Sequence, residues 1–425
     1  MKHVVIVGGG FAGMNAAKSF GNKKDVRVTV IDKKNHHLFQ PLLYQVAMAG
    51  LSPAEIAAPI RSFLSKYNNI SVLQAELKNI NHHEKIIETD FCNMDYDYLI
   101  LACGATHSYF GNSHWEEYAP GLKTIEQATE IRRRVLTAFE AAERLNEPEK
   151  QKKHLTFVIV GGGPTGVELA GAIGEMSRFT LAKDFKNTNP KLTRIILVEA
   201  SSHILHDFSP KLRAKAARDL EKLGVQVWTS SRVTDVGENY VMIGEEKIET
   251  SNVLWAAGIK AFGIGSKIGA ETDEIGRIKV EKDLSIKGFD NIFVLGDLAS
   301  FYQEGKGILP PLAPVAMQQG RFAAANILRD VKGEQRKDFH YTDKGKMATI
   351  GRSKAIIDLG KLQMSGFFAW LIWLVIHIYY LSGFKNKFFV FLNWTWSYLS
   401  FKKGARLILS KEWKSASRDK NKKDN

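Results

Sequence analysis

The sequence contains the same glycine spacing twice, each time directly after a short run of mostly β-branched residues. The first set is Gly8, Gly10 and Gly13, and the second is Gly161, Gly163 and Gly166. In this G-x-G-x-x-G spacing the first glycine permits a tight turn and the second lets backbone N–H groups approach a pyrophosphate, while the third lets the following helix pack on the strand. The repeat predicts two strand–turn–helix units that each bind a dinucleotide at a helix N-terminus.

An acidic residue ends the next strand-like run after each glycine set. Asp32 lies nineteen residues after Gly13, where a carboxylate accepts hydrogen bonds from a ribose hydroxyl. Glu199 has the same place in the second unit, although residues 177–193 look like an insertion that lengthens the interval. Because a carboxylate repels a 2′-phosphate and no arginine directly follows Glu199, the second site is expected to prefer NADH to NADPH.

The order of these units predicts an α/β fold with an interrupted first domain. A chain of 425 residues is too long for one hydrophobic core. The strand-like run 291–295 follows the second unit but resembles a missing last strand of the first, and the charged stretch 145–153 is interpreted as a linker. The predicted domains are 1–120 and 277–345 for the first nucleotide, 121–276 for the second, and 346–425 as a C-terminal region.

The charge is concentrated at the C-terminal end. Of the overall net charge of +14, residues 385–425 contribute +8, from eleven Lys or Arg against three acids. Such a cluster suggests an anionic partner, either nucleic acid or a lipid surface. The two cysteines cannot build a disulfide framework, and the N-terminus lacks the ~7–15 apolar residues of a secretory signal, so a cytoplasmic protein is expected.

Two apolar runs lie in the same region as the basic residues, one before them and one among them. Residues 366–384 and 388–401 are rich in Trp, Tyr and Phe, and aromatic rings prefer the headgroup level of a membrane. The first run is long enough for a transmembrane helix. The favoured interpretation is that both runs form helices that lie in one leaflet of the membrane. A buried homodimer interface is the alternative, and both roles could share the segment. Nucleic acid is not expected, because the charges accompany lipid-like runs rather than a recognisable binding module.

Two dinucleotide sites in one chain suggest a nicotinamide stacked against a flavin for hydride transfer. At this point the chain resembles the two-dinucleotide-binding-domain flavoproteins (glutathione-reductase-like), and within them the type II NADH dehydrogenases. The segments that carry the resemblance are NHHLFQPLLYQVAMAG (35–50), LILACGA (99–105), GGGPTGVELAG (161–171), VLWAAGI (253–259), NIFVLGDLA (291–299), LAPVAMQQGR (312–321) and GFFAWLIWLVIHIYYLSGF (366–384).

The resemblance implies a set of site residues. FAD is expected at Gly8, Gly10, Phe11, Ala12, Gly13, Asp32, Lys33, the backbone near Leu77, Gly104, Asp297 and Ala316. NADH is expected at Gly161, Gly163, Gly166, Glu199 and Gly258. The helix that Pro314 starts would aim its N-terminus at the flavin, where N–H groups and the helix dipole stabilise negative charge.

The resemblance also implies a catalytic acid and a quinone contact. Glu168, in the first turn after the second glycine set, would relay protons to the quinone; stabilisation of the helix start is its alternative role. The family pattern Ala-Gln-x-Ala-x-Gln reads Ala313-Pro314-Val315-Ala316-Met317-Gln318 here, so proline replaces the first glutamine. The expected quinone residues are therefore Gln318 and Gln319. His377 is interpreted as structural, and the His36-His37 and His82-His83 pairs lack metal-site spacing.

The implied activity is hydride transfer from NADH to FAD, followed by two-electron reduction of a membrane quinone without proton pumping. The enzyme is expected on the cytoplasmic face of the inner membrane, as a peripheral homodimer in contact with anionic lipid. A disulfide reductase or a sulfide:quinone oxidoreductase needs catalytic cysteines, and neither Cys92 nor Cys103 fits that role. A reductase of soluble acceptors would have no use for residues 366–401, and a membrane-tethered NADH sensor is the non-enzymatic alternative.

Overall fold

The computed structural model describes residues 1–182, 184–381, 383–400 and 404–409. Its first sheet has six strands, and all neighbours in it are parallel except the first two. In spatial order they are Ser285–Ile286, Phe289–Val294, Tyr98–Leu101, Lys2–Val7, Val26–Asp32 and Ile70–Gln74. The strand predicted at 291–295 is confirmed as part of the first sheet, so the chain returns to it after the second unit.

The second sheet has four parallel strands and repeats the central arrangement of the first. In spatial order they are Val225–Trp228, Arg194–Val198, Thr156–Val160 and Asn252–Trp255. The central strand Thr156–Val160 is buried at every position, as expected for a parallel strand that is covered on both faces. Each sheet thus presents the carboxyl ends of its strands at one edge, where α/β proteins bind nucleotides.

Helices cover the sheets and form the C-terminal end. The α-helices are Phe11–Phe20, Leu43–Ala47, Pro53–Ile56, Ile60–Leu64, Ile125–Glu143, Pro148–His154, Pro164–Glu175, Pro210–Lys222, Ile264–Lys267, Ala313–Val331, Phe367–Tyr380 and Phe384–Ser400, with a π-helix at Met176–Thr180. Short 3₁₀-helices lie at Gln40–Leu42, Ser113–Glu117, Pro190–Leu192 and Gly296–Leu298. We call Phe11–Phe20 the first-site helix, Pro164–Glu175 the second-site helix, and the last two helices the C-terminal hairpin.

Most of the predicted linker 145–153 is the helix Pro148–His154 and not an irregular loop, while its role between the two halves stays a prediction. Proline occupies its first turn, where the missing N–H has no intrahelical acceptor in any case. Lys152, Lys153 and His154 lie in its last turn, where the negative end of the helix dipole favours cations. The charged composition that suggested a linker therefore stabilises a surface helix.

Seven small sheets complete the described fold, and all but one of them are antiparallel. Three have three strands: Leu77–Asn81 with Ile86–Thr89 and Asn93–Asp95, Val233–Gly237 with Tyr240–Ile243 and Glu246–Glu249, and Lys346–Thr349 with Ala355–Asp358 and Gln363–Gly366. Four have two strands. His36–Leu38 with Ala57–Pro59, Ala105–His107 with Ile259–Ala261, and Tyr302–Gln303 with Gly307–Ile308 are antiparallel, whereas Ile278–Lys279 with Ala299–Ser300 is parallel. The ribbon of Ala105–His107 and Ile259–Ala261 connects the chain of the first sheet to that of the second.

The C-terminal hairpin packs on the same hydrophobic core as the second sheet. Ala369, Trp373 and Val390 belong to a buried cluster that also contains Phe157 and Leu197. Within the described part of the chain, no helix has the length and apolar character needed to cross a membrane. Of the basic residues that follow the hairpin, only Arg406 is described; those at 402, 403, 411, 414, 418, 420, 422 and 423 lie outside the described residues.

Candidate active site

The first glycine loop, Gly8–Gly13, follows the strand Lys2–Val7 and leads into the first-site helix. Gly8 has φ +111°, and a Cβ there would lie 2.2 Å from the Ala102 carbonyl oxygen. A Cβ on Gly13 would lie 1.8 Å from the Gly8 carbonyl oxygen. Because real Cβ atoms do not approach so closely, the turn and the strand–helix contact both require glycine. Around a Cβ built on Gly10 the first 4 Å are open, which leaves room for a phosphate.

The second glycine loop, Gly161–Gly166, reproduces this geometry closely. Gly161 has φ +109°, and its Cβ would lie 2.8 Å from backbone atoms of Ala256. A Cβ on Gly166 would lie 1.8 Å from the Gly161 carbonyl oxygen, while Gly163 again faces open space. Both loops therefore have the shape of a pyrophosphate cradle at a helix N-terminus. The residues present fit one dinucleotide at each loop.

The two acids predicted from the sequence bind their own glycine loops. Asp32 accepts hydrogen bonds from the backbone N–H of Gly9 through Oδ2 (2.6 Å) and of Lys34 through Oδ1 (2.7 Å). Glu199 accepts from the N–H of Gly162 through Oε2 (2.6 Å) and of Ser201 through Oε1 (2.7 Å). Burial raises the pKa of Glu199, but these hydrogen bonds outweigh it and hold the pKa below its usual value. The carboxylate is therefore charged at neutral pH.

A single cleft of about 570 Å³ collects residues from both halves of the protein. We call it the cofactor cleft. The predicted residues that line it are Gly8, Gly10, Phe11, Ala12, Asp32, Lys33, Gly104, Glu168, Gly258, Asp297 and Ala316. Pro164 and Thr165, at the start of the second-site helix, also line it. The cleft thus joins the first glycine loop to the helix that begins at the second.

Asp297 lies in the 3₁₀-turn Gly296–Leu298, directly after the returning strand of the first sheet. Its Oδ2 is 3.4 Å from Nζ of Lys123, and both side chains are about four-fifths buried. Lys123 lines the cleft and was not predicted from the sequence, because the ion pair joins residues 174 positions apart. The pair places one positive and one negative group on the same wall of the cleft.

The helix Ala313–Val331 points its N-terminus at the cleft, because Leu312, Ala313 and Ala316 line the wall there. The sequence predicted that Pro314 starts this helix. The helix begins one residue earlier, at Ala313, so Pro314 occupies the second helical position. The first N–H groups of a helix lack intrahelical acceptors and carry the positive end of the dipole. They can stabilise negative charge that develops in the cleft.

Glu168 lies near the start of the second-site helix and lines the cleft. Its Oε1 accepts a long hydrogen bond from the backbone N–H of Thr349 (3.4 Å). Burial raises the pKa of Glu168 to about 8, because loss of water disfavours the charged carboxylate more than the polar groups of Thr349 favour it. At neutral pH the group is therefore largely a neutral acid that can donate a proton.

Eight predicted site residues do not line the cleft: Gly13, Leu77, Gly161, Gly163, Gly166, Glu199, Gln318 and Gln319. Nε2 of Gln318 donates to the carbonyl oxygen of Thr342 (2.9 Å), and the backbone N–H of Thr342 donates to Oε1 of Gln318 (3.1 Å). Gln319 is buried, and its Oε1 accepts from the N–H of Gly296 (2.7 Å). Both amides thus stabilise backbone turns. Leu77 pairs with Thr89 in a small sheet and does not line the cleft.

His377 is the residue that the C-terminal hairpin contributes to the cofactor cleft. Its Nδ1 donates to the Trp373 carbonyl oxygen (2.8 Å), and its ring stacks on Trp373 with centroids 3.9 Å apart. The structural role predicted for it is confirmed by these contacts, but its place in the cleft was missed. Burial lowers the pKa of His377 to about 4, so the ring is neutral.

Neither cysteine forms a disulfide, and the one beside the cleft is a poor nucleophile. Cys103 lines the cleft, and burial raises the pKa of its thiol to about 12. Cys92 lies in the turn between the strands Ile86–Thr89 and Asn93–Asp95. Both are free. Chemistry that needs a reactive thiolate is therefore disfavoured at this site.

Two nucleotide cradles, one in the cleft wall and one at the start of a helix that lines the same cleft, define together with an acid and a helix N-terminus in that wall a dinucleotide-dependent oxidoreductase. The family model for pyridine nucleotide-disulphide oxidoreductases matches residues 2–320, and the NDH2 C-terminal domain matches residues 344–401. Among curated relatives, the type II NADH:quinone oxidoreductases Ndh and NdhA of Mycobacterium tuberculosis are 41% and 43% identical; each alignment covers 96% of this chain and 90% and 89% of the relative, respectively. The chain therefore belongs to the type II NADH:quinone oxidoreductases.

Solved structures show the same fold at lower identity. NDH2 from Plasmodium falciparum in complex with NADH superposes with a TM-score of 0.88 at 21% identity, covering 96% of this chain and 100% of that one. The sulfide:quinone oxidoreductase of Aquifex aeolicus gives a TM-score of 0.73 at 16% identity, covering 91% and 92%. These likenesses extend the fold to enzymes of different chemistry, so the site residues must distinguish the reaction.

Replacing Glu199 by glutamine is expected to weaken the preference for NADH. The amide oxygen can still accept one backbone hydrogen bond, but the charge that repels a 2′-phosphate is lost. We expect the ratio of kcat/KM for NADH to that for NADPH to fall about tenfold, equivalent to ~1.4 kcal/mol. Steady-state kinetics with both nucleotides measure this ratio. Glu246→Gln, at an exposed strand position, is the control, and an unchanged ratio in Glu199→Gln would contradict the assignment.

Proposed function

We propose that this protein oxidises NADH at the second glycine loop and reduces a quinone that it reaches from a membrane surface, with FAD held at the first glycine loop. The observation that carries the proposal is the composition of the cofactor cleft. The first glycine loop, the start of the second-site helix and His377 of the C-terminal hairpin all line it. A donor site, a cofactor site and the membrane-facing element therefore meet at one cavity.

FAD, when bound, accepts a hydride from NADH and passes the electron pair to the quinone. Gly8, Gly10 and Gly13 would hold its pyrophosphate, while Asp297 would hold its ribityl chain. Lys123 orients Asp297 through their ion pair. The N-terminus of the helix Ala313–Val331 stabilises negative charge in the cleft, and Glu168 holds a proton near it at neutral pH.

The C-terminal hairpin has the exposed surface that a membrane-associated enzyme needs. On its first helix the exposed apolar side chains follow helical spacing: Phe368 (72% exposed), Leu371 (39%), Val375 (67%) and Tyr379 (71%). The opposite face buries Ala369, Trp373 and His377. The second helix exposes Phe388, Phe389, Phe391, Leu392 and Trp396. An apolar stripe of this extent suits insertion into one leaflet.

Charged substitutions on this stripe are expected to release the protein from lipid without loss of catalysis. Burial of one large apolar side chain contributes ~1.5–3 kcal/mol, so the double variant Phe368→Glu/Val375→Glu should bind anionic phospholipid vesicles at least roughly 100-fold more weakly. Vesicle co-sedimentation measures binding, and NADH oxidation by a water-soluble quinone analogue measures catalysis.

The matched control is Phe91→Glu, which alters an aromatic residue that is 76% exposed in a turn outside the hairpin. It should bind vesicles like the wild type. Equal vesicle binding by the hairpin variant and the wild type would contradict the membrane role.

We also infer that the protein is located on the cytoplasmic side, where NADH is supplied and free thiols persist. We further infer that it forms homodimers through apolar residues that lipid leaves uncovered. Analytical ultracentrifugation in detergent tests the homodimer.

A further inference from the structure

A second, smaller pocket of about 100 Å³ lies between the C-terminal hairpin and the body of the protein. We call it the hairpin pocket. Its polar wall contains Tyr44, Gln45, Glu175 and Arg352, and its aromatic wall includes Trp370 and Trp394. It shares no lining residue with the cofactor cleft. The two pockets are therefore separated by protein.

That protein contains a line of polar side chains, hydrogen-bonded from Trp394 as far as Thr349, which itself binds Glu168 through its backbone N–H. Trp394 Nε1 donates to Gln45 Oε1 (2.7 Å), and Gln45 Nε2 donates to the Tyr44 hydroxyl (3.0 Å). The Tyr44 hydroxyl lies 3.1 Å from Oγ1 of Thr349. The Thr349 backbone N–H donates a long hydrogen bond to Oε1 of Glu168 (3.4 Å), and the Thr349 hydroxyl contributes to lowering the pKa of the same carboxyl group. The line thus runs from the hairpin pocket to the acid in the cleft wall.

The direction of the donors follows from the first contact. Because the Trp394 N–H can only donate, the Gln45 oxygen faces it and the Gln45 amide nitrogen must face Tyr44. The Tyr44 oxygen then accepts, so its own hydrogen is free to point at Thr349. The Thr349 hydroxyl can in turn donate to Glu168. Every donor in the line is oriented toward Glu168.

Burial protects this line from bulk water. Tyr44 is 9% exposed and Thr349 is 2% exposed. Burial raises the pKa of Tyr44, so the hydroxyl stays neutral and can accept one proton as it releases another. Glu175 lies seven residues after Glu168, two turns along the same face of the second-site helix, and is partly exposed in the hairpin pocket. A carboxyl group therefore lies at each end.

We propose that Tyr44 and Thr349 carry a proton from the hairpin pocket to Glu168 during quinone reduction. The proposal rests on the proposed function, in which NADH, one proton and a quinone give NAD⁺ and a quinol. NADH supplies the hydride, so the second proton of the quinol comes from solvent. As Glu168 releases its proton, the Thr349 O–H bond breaks toward Glu168 and the Tyr44 O–H bond breaks toward Thr349. Glu175 or a water in the pocket returns a proton to Tyr44, and no electrons move along the line.

Removing either hydroxyl tests the route. In sequential stopped-flow mixing of the holoenzyme, Tyr44→Phe and Thr349→Val should be bleached by NADH at the wild-type rate. Recolouring by a soluble quinone analogue should be at least roughly tenfold slower, because acid catalysis commonly contributes ~10²–10⁴-fold and a slower route for the proton removes part of it. The solvent deuterium isotope effect on recolouring should also change. Thr349→Ser, which keeps the hydroxyl, should restore both values.

The control is Tyr96→Phe, since the buried Tyr96 hydroxyl has no hydrogen-bond partner among the described residues; it should behave as the wild type. Recolouring of both Tyr44→Phe and Thr349→Val at the wild-type rate, with an unchanged isotope effect, would overturn the route alone. If the wild type itself is bleached by NADH but never recoloured by quinone, the proposed function fails and the route fails with it.

Discussion

Gly13→Ala is expected to yield a protein that purifies without the yellow colour of bound FAD. The new Cβ would lie 1.8 Å from the Gly8 carbonyl oxygen, so either the glycine loop or the first-site helix has to move away from the strand. Overpacking of this kind costs ~1–3 kcal/mol, and the displacement falls on the N–H groups that would bind the pyrophosphate. Affinity for FAD should fall at least roughly tenfold, measured by fluorescence titration of the apoprotein.

The second glycine loop supplies the matched control for this variant. Gly166→Ala introduces the same clash, 1.8 Å from the Gly161 carbonyl oxygen, but at the other nucleotide site. It should keep its FAD and its colour while NADH binding weakens by a similar factor. Loss of FAD from Gly166→Ala, or a fully yellow Gly13→Ala protein, would contradict the assignment of FAD to the first loop and NADH to the second.

Glu168→Gln should slow quinone reduction and leave flavin bleaching by NADH nearly unchanged. The amide cannot donate a carboxylic proton, and general-acid catalysis commonly contributes roughly 10²–10⁴-fold. In the wild type the acid form is present below its pKa of about 8 and is lost as pH rises through that value. The quinone step should therefore decline above about pH 8 in the wild type, while Glu168→Gln should show no such inflection.

Stability provides an independent check on the same group. Because the folded-state pKa of Glu168 is raised above its ordinary value of 4.5 to about 8, the folded state holds this proton after the unfolded state has lost it. Folding is then progressively disfavoured as pH rises between these values. The melting temperature of Glu168→Gln should accordingly rise relative to the wild type on the alkaline side. Identical pH dependence of rate and of melting in both proteins would contradict the raised pKa.

The features that the sequence predicts well are those fixed by neighbouring residues. Gly8 and Gly161 were predicted to permit tight turns after a buried strand, and both have positive φ in the structure. The strands on either side are continuous apolar runs, which the burial of a parallel sheet requires. The return of Phe289–Val294 to the first sheet was also predicted, because the run resembled a strand that the first unit lacked. The domain boundaries around it stay predictions.

The features that the sequence misses depend on contacts between distant segments. Lys123 and His377 reach the cleft only because the fold brings the start of the helix Ile125–Glu143 and the C-terminal hairpin to its wall. Gln318 has the right motif position, but its helix turns it toward Thr342, and Gln319 is turned toward Gly296. A linear motif specifies neither the direction of a helix face nor the partner that it meets. The pKa of Glu168 likewise depends on burial that only the packed fold provides.

Sequential-mixing stopped-flow absorbance of the purified protein tests the central claim most directly. The first mix adds NADH without quinone, and the account expects rapid loss of the flavin band. The second mix adds a quinone analogue without oxygen, and the band should return in one fast phase. A protein whose band NADH does not bleach, or whose bleached band a ferredoxin or a disulfide restores and a quinone does not, would contradict the account.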